Sequence, residues 1–122
     1  MDKVAIVLIS HSAKVVEGVA DIIRQMVPNV SVGLAGGTAD EGIGTSIEKI
    51  QAAIEEVYNN QGVLLFYDIG SAKMNAELAV ELSGYDHVVV VEAPLLEGAF
   101  VAAVEAGMGK TLEEVREAAE NV

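Results

Sequence analysis

Residues 3–19 read KVAIVLISHSAKVVEGV, and this stretch decides the fold. Val4 to Ile9 are apolar without a break. A strand with one wet face would alternate apolar and polar residues. An unbroken aliphatic run marks a strand covered on both faces, as in a parallel sheet. The run stops at Ser10-His11-Ser12. Val15, Val16, Val19, Ile22, Ile23 and Met26 then recur at helical spacing until Pro28. A buried strand that feeds an amphipathic helix opens a βαβ unit.

The alternation continues along the chain. Strands are expected at Lys3–Ser10, Val30–Ala35, Gly62–Asp68 and His87–Glu92. Between them, Ile47, Ile50, Ile54 and Val57 form a second helical stripe, with Thr45 and Glu48 spaced as a capping box. Met74, Leu78 and Leu82 form a third stripe, closed by Gly84. Pro94 suits the first turn of a fourth helix, which runs to about Ala106. Thr111 and Glu114 repeat the capping-box spacing before Leu112, Val115 and Ala119. The order β-α-β-α-β-α-β-α-α, with right-handed crossovers, predicts a doubly wound α/β fold. Its mainly parallel sheet has the order 2-1-3-4 and helices on both faces. Residues 1–122 are expected to form a single domain.

Composition narrows the function classes. Nineteen acidic against seven basic residues give a net charge of −12. Such a surface repels nucleic acid and anionic membranes, and neither is expected as a partner. There are no cysteines, hence no disulfides or thiolate chemistry. No stretch approaches the roughly 20 apolar residues of a membrane span. The initial apolar run is too short for a signal peptide and has no cleavage pattern. The chain is expected to be cytoplasmic.

The topology gives His11 a meaning. In a 2-1-3-4 sheet the connections reverse between strands 1 and 3, and the functional crevice lies beyond their carboxyl ends. Strand 1 ends at Ser10-His11. Strand 3 ends at Asp68, followed by Ile69-Gly70-Ser71. His11 and Asp68 are therefore expected to face each other. A carboxylate beside an imidazole fixes its tautomer, orients the ring and stabilises positive charge on it. The free ring nitrogen is then a nucleophile. Ser12 and Ser71 stand at helix starts, where backbone N–H groups bind phosphate, and Gly70 lets backbone approach an anion. With Gly37, these form the expected phosphate contacts. Ser12 and Ser71 read equally well as ordinary N-caps, and Gly37 as a turn residue. Lys73 reads either as a partner for an anion or as a solvated lysine. His87, at the amino end of strand 4, reads as structural. No metal ligand set is expected. A nucleophilic histidine, an orienting aspartate and a phosphate cradle suit reversible phosphoryl transfer.

Other classes fit less well. A response-regulator receiver needs an acidic pair where Ser10-His11 stands. A histidine phosphatase wants an arginine at Ser10. A small tetrapyrrole chelatase wants more ligands than His11 and Asp68. Gly107-Met-Gly-Lys-Thr111 ends like a nucleotide-binding loop but lacks its first glycine and follows a helix.

Five segments resemble a known family in the same order. They are Ile9-Ser10-His11-Ser12, Gly36-Gly37, Ile43-Gly44-Thr45-Ser46, Asp68-Ile-Gly-Ser-Ala-Lys-Met-Asn75 and Ala93-Pro-Leu-Leu-Glu-Gly-Ala99. Together they resemble the phosphotransfer subunits of the phosphoenolpyruvate-dependent dihydroxyacetone kinases. Those subunits share the fold of the mannose-type IIA domains of the sugar phosphotransferase system. The resemblance implies that His11 accepts a phosphoryl group from the histidine phosphocarrier protein, with Asp68 as its carboxylate partner. It implies donation to ADP on the nucleotide-binding subunit of dihydroxyacetone kinase, and a homodimer. It implies no cofactor in this chain, with ADP or ATP and magnesium on the partner kinase subunit. The mannose-type domains proper resemble G-G-S-P-x-N after the aspartate. Here the segment is Ile-Gly-Ser-Ala-Lys-Met-Asn, which favours the dihydroxyacetone branch and leaves a sugar-transporter IIA component as the alternative. The crevice rim is expected to carry Asp40, Glu41 and Glu97 for charge, and Ile69, Met74 and Leu95 for apolar contact with the carrier.

Overall fold

The computed structural model describes residues 2–122. β1 (Ala5–Ser10) is buried along its whole length. It lies between β2 (Val32–Gly36) and β3 (Val63–Tyr67), and β4 (Val88–Val90) completes a parallel sheet of order β2-β1-β3-β4. The expected topology is present. The two-residue period of a strand then sorts β1 between two cores. Ile6 and Leu8 pack with α1 (Ala13–Met26), α4 (Leu95–Gly107) and α5 (Leu112–Glu120). Ala5, Val7 and Ile9 pack with α2 (Ile47–Val57) and α3 (Ala72–Ser83). An uninterrupted apolar strand is what two such cores require.

The strands are shorter than the apolar runs, β4 most of all. Val91 N–H still donates to Leu65 O, but Glu92 leaves the sheet to bind side chains. The third helix differs more. Met74, Leu78 and Leu82, the expected stripe, point outward and are 76%, 40% and 59% exposed. The buried face of α3 is Ala72, Ala76 and Ala79. Small side chains let this helix lie close to the sheet, so size at those positions matters more than hydrophobicity. In α1 the inward residues are Val16, Val19, Ala20 and Ile23, while Val15, Ile22 and Met26 are exposed.

The caps follow a similar pattern. Thr111 and Glu114 form the expected reciprocal capping box on α5, and Gly84 closes α3 in the left-handed region at φ 71°. Pro94 stands just before α4 as its N-cap. The N-cap of α2 is Ser46 rather than Thr45, with its hydroxyl accepting from Lys49 N–H. Thr45 is occupied elsewhere: its hydroxyl accepts from the Asn75 side chain at 2.7 Å, which ties the loop before α2 to α3. Among the described residues no helix is long and apolar enough to cross a membrane.

One glycine controls how α1 meets the sheet. A Cβ on Gly36 would lie 2.6 Å from Val16 Cγ2, 2.7 Å from Ala13 Cα and 2.9 Å from Ser12 O. Two of these are backbone atoms, so the first turn of α1 would have to move. Gly36→Ala is expected to destabilise the protein by about 1–3 kcal/mol, the usual range for overpacking. A urea midpoint equal to that of the parent would show that the contact is not tight.

Candidate active site

The strand register builds the site. Ile9 is paired with Tyr67, so Ser10 and Asp68 follow side by side at the carboxyl edge of the sheet. Asp68 then meets His11 twice. The ring Nδ1 lies 3.0 Å from Oδ1, and the His11 backbone N–H donates to Oδ2 at 3.0 Å. Ser10 Oγ donates to Oδ2 at 2.7 Å, and Ile69 N–H donates to Oδ1 at 2.7 Å. Each carboxylate oxygen therefore accepts two hydrogen bonds.

The electrostatics follow from these contacts. Partial burial disfavours the charged carboxylate, but the bonds from Ser10, from the His11 N–H and ring, and from Ile69 outweigh it. Asp68 lies below the ordinary carboxylate range. It is ionised at neutral pH and can only accept. Nδ1 must then carry a proton, and in the neutral ring Nε2 keeps its lone pair. Nε2 lies 3.0 Å from Ser71 Oγ, whose hydroxyl donates to it. The neutral imidazole is held as the Nδ1–H tautomer with Nε2 toward the start of α3. The His11 side chain is 22% exposed, so a partner can reach it while its inner edge stays shielded.

The expected phosphate contacts separate. Ser71 touches His11 Nε2 directly, and its side chain makes no capping bond on α3. The N–H groups of Gly70 and Ser71 donate to no acceptor among the described residues. A Cβ on Gly70 would meet nothing within 4 Å, so the space before this helix start is open. Ser12 begins α1, and its side chain also makes no capping bond. Its N–H donates to Ser10 Oγ at 3.0 Å. Gly37 is buried at φ 76°, where a side chain would strain the backbone, and its N–H donates to Ser10 O at 3.1 Å. That N–H is already engaged, so Gly37 has the turn role.

The surrounding loops hold this geometry. Gly44 N–H donates to His11 O at 2.9 Å, which fastens the glycine-rich loop to the histidine backbone. Glu41, at φ 66°, pairs with Lys49 Nζ at 3.0 Å, and the same amine donates to Gly36 O. Part of the expected rim charge is thus neutralised. Lys73 is not free: its anion is the Glu92 carboxylate, with which it pairs at 2.6 Å, and Tyr67 OH donates to the same carboxylate at 2.8 Å. Ile43, Ile69 and Met74 are 80%, 58% and 76% exposed near the site, while Leu95 is partly buried. His87 lies exposed before β4, and its backbone carbonyl accepts from Val63 N–H. Sequence reasoning missed Ser10, Glu92 and the Thr45–Asn75 link. The one available signal for Ser10 was a polar residue ending a wholly apolar strand.

The chain resembles known proteins. A family model described as the PTS system fructose IIA component matches residues 5–116. The chain is 44% identical over 110 residues to a Listeria innocua protein named PEP-dependent dihydroxyacetone kinase 1, phosphoryl donor subunit DhaM. That match covers 90% of this chain and 87% of the relative. It is 35% identical over 117 residues to the Lactococcus lactis PTS-dependent dihydroxyacetone kinase, phosphotransferase subunit DhaM, covering 96% and 94% of the two chains. A crystal structure of a protein of unknown function superposes with a TM-score of 0.87 at 35% identity, covering 98% of this chain and 94% of that one. With the sheet order, the match along residues 5–116 and relatives at these identities, the chain belongs to the mannose-type IIA family of the phosphotransferase system.

Proposed function

We propose that this chain is the phosphoryl donor subunit of a phosphoenolpyruvate-dependent dihydroxyacetone kinase, and that it carries the phosphoryl group on His11 Nε2. The observation that carries this reading is the Nδ1–Asp68 contact, which leaves Nε2 unprotonated at an open helix start. The names of the Listeria innocua and Lactococcus lactis relatives support the dihydroxyacetone branch over a sugar transporter.

The steps balance around one proton that never leaves. A phosphorus–nitrogen bond in the phosphorylated histidine carrier breaks as Nε2 attacks phosphorus. The Nδ1 proton stays in place, and the positive charge that develops on the ring is met by Asp68. The Ser71 hydroxyl gives up Nε2 as the bond forms and turns to a phosphoryl oxygen. The Gly70 and Ser71 N–H groups supply further donors at the start of α3. In the second transfer the Nε2–phosphorus bond breaks, and a terminal oxygen of ADP on the nucleotide-binding subunit forms the new bond. In this reading nucleotide and magnesium sit on that partner subunit. The protein works in the cytoplasm as a homodimer, as the family resemblance implies.

The test is incubation with phosphoenolpyruvate and the two general phosphotransferase proteins. Mass spectrometry is expected to find an acid-labile phosphoryl group on His11, and ¹⁵N NMR to place it on Nε2. An Nδ1 adduct would contradict the proposed geometry. A protein that takes no phosphate from any carrier would sink the reading.

A further inference from the structure

Ser10 is the last residue of β1 and is fully buried. The rest of that strand is apolar, and a buried hydroxyl is costly unless both its donor and its acceptor sides are used. Here both are used, and both lead into the site. The hydroxyl donates to Asp68 Oδ2 at 2.7 Å and accepts from Ser12 N–H at 3.0 Å. A chain of hydrogen bonds thus runs from the positive end of α1, through Ser10, to the carboxylate that holds His11.

We infer that Ser10 is a positioning residue for phosphoryl transfer: its hydroxyl locks the Asp68 carboxylate in the plane that keeps Oδ1 on His11 Nδ1. The torsion that turns an aspartate carboxylate is broad, with no staggered well to fix it. Both oxygens must be pinned from outside. Oδ1 is held by the ring and by Ile69 N–H; Oδ2 is held by His11 N–H and by Ser10. Three of those four donors belong to His11 itself or to the residue next to Asp68, and they move with the groups they are meant to fix. Ser10 is the exception. It sits in the central strand and its backbone carbonyl is clamped by Gly37 N–H. It references the carboxylate to the sheet rather than to the loop. That function is needed most when charge appears on the ring, because a carboxylate that turns away at that moment gives no stabilisation.

The inference rests on His11 as the phosphoryl carrier, and its test separates the two. Ser10→Ala removes the hydroxyl, and Ser10→Cys keeps a side chain of similar shape with a much weaker donor. Each folded variant is first read without any phosphate, by the ¹⁵N shifts of the His11 ring. The parent is expected to show the Nδ1–H tautomer and the variants a mixture of tautomers. Phosphorylation by the histidine carrier is then expected to slow about 10- to 100-fold, the scale of losing one hydrogen bond to a charged acceptor. If Ser10→Ala does not fold, Ser10→Cys carries the same comparison. A folded variant that keeps the parent tautomer overturns the inference, whether its rate is unchanged or slowed, because a slower rate alone would reflect only packing. Failure of the parent protein to accept phosphate would instead sink the carrier reading and leave the tautomer result to stand or fall by itself.

Discussion

His11→Ala is expected to leave the protein with no acid-labile phosphoryl group after incubation with phosphoenolpyruvate and the general phosphotransferase proteins. The loss is expected to be complete within detection, on the order of 10⁶-fold or more, as when a nucleophile is deleted outright. Three features argue against a substitute. Ser71 Oγ is near the vacated position, but its hydroxyl donates to the imidazole in the parent and has no base once the ring is gone. The Asp68 carboxylate keeps three of its four donors, namely Ser10, Ile69 N–H and the backbone N–H of residue 11, which hold it in place and lower its basicity. The only other histidine, His87, precedes the amino end of β4, at the opposite edge of the sheet from the site. The fold should tolerate the change, because the backbone bonds at residue 11, to Asp68 and from Gly44, do not involve the ring. Intact-mass measurement on a variant with native circular dichroism checks this. A phosphoryl adduct of unchanged yield would move the carrier site away from His11.

The readable parts of this sequence are those in which one physical requirement dominates. β1 serves two cores, so every position that faces one of them must be apolar, and the run from Val4 to Ile9 says so directly. Once strand order followed from chirality and alternation, His11 and Asp68 had to meet, although they are far apart in sequence. The third helix was misread because two requirements compete there. Close approach to the sheet selects Ala72, Ala76 and Ala79, which carry a weak hydrophobic signal. Met74, Leu78 and Leu82 carry a strong signal on the exposed face. Periodicity alone weights the larger side chains and therefore chose the wrong side. The cap of α2 failed for a related reason. Thr45 and Ser46 are both good caps, and what decides between them is Asn75, a residue on another helix. The same holds for the rim. Glu41 and Lys73 look like free charges in sequence, yet each has a partner, in Lys49 and Glu92 respectively. Side-chain pairing across elements is set by geometry that no local pattern records.

Replacing Asp68 is expected to slow phosphorylation of His11 by about 10²- to 10⁴-fold for alanine, the scale of positioned acid–base and electrostatic effects. Alanine removes the acceptor for four donors at once, and the buried Ser10 hydroxyl loses the partner it cannot replace with water. The nucleophile survives, which is why activity falls rather than vanishes. Asparagine is the sharper test. It keeps the size of the side chain, but one carboxylate oxygen becomes an NH₂ group. Ser10 Oγ and the His11 N–H both donate toward the Oδ2 position, so the amide oxygen belongs there. The NH₂ then faces His11 Nδ1, where an acceptor is needed, and Ile69 N–H loses its acceptor at the same position. The ring answers by moving its proton to Nε2, and a protonated Nε2 cannot attack phosphorus. Asp68→Asn is therefore expected to be at least as slow as alanine, toward the 10⁴-fold end, because a wrong tautomer costs about that much in a comparable histidine–aspartate pair. Rapid-quench kinetics give the rate and ¹⁵N NMR gives the tautomer in the same samples. An Asp68→Asn protein that holds the Nδ1–H form and accepts phosphate at the parent rate would remove the carboxylate from the mechanism. An Asn variant that is slow only because it has shifted to the Nε2–H form would show that the fixed tautomer, more than the charge, is what Asp68 supplies.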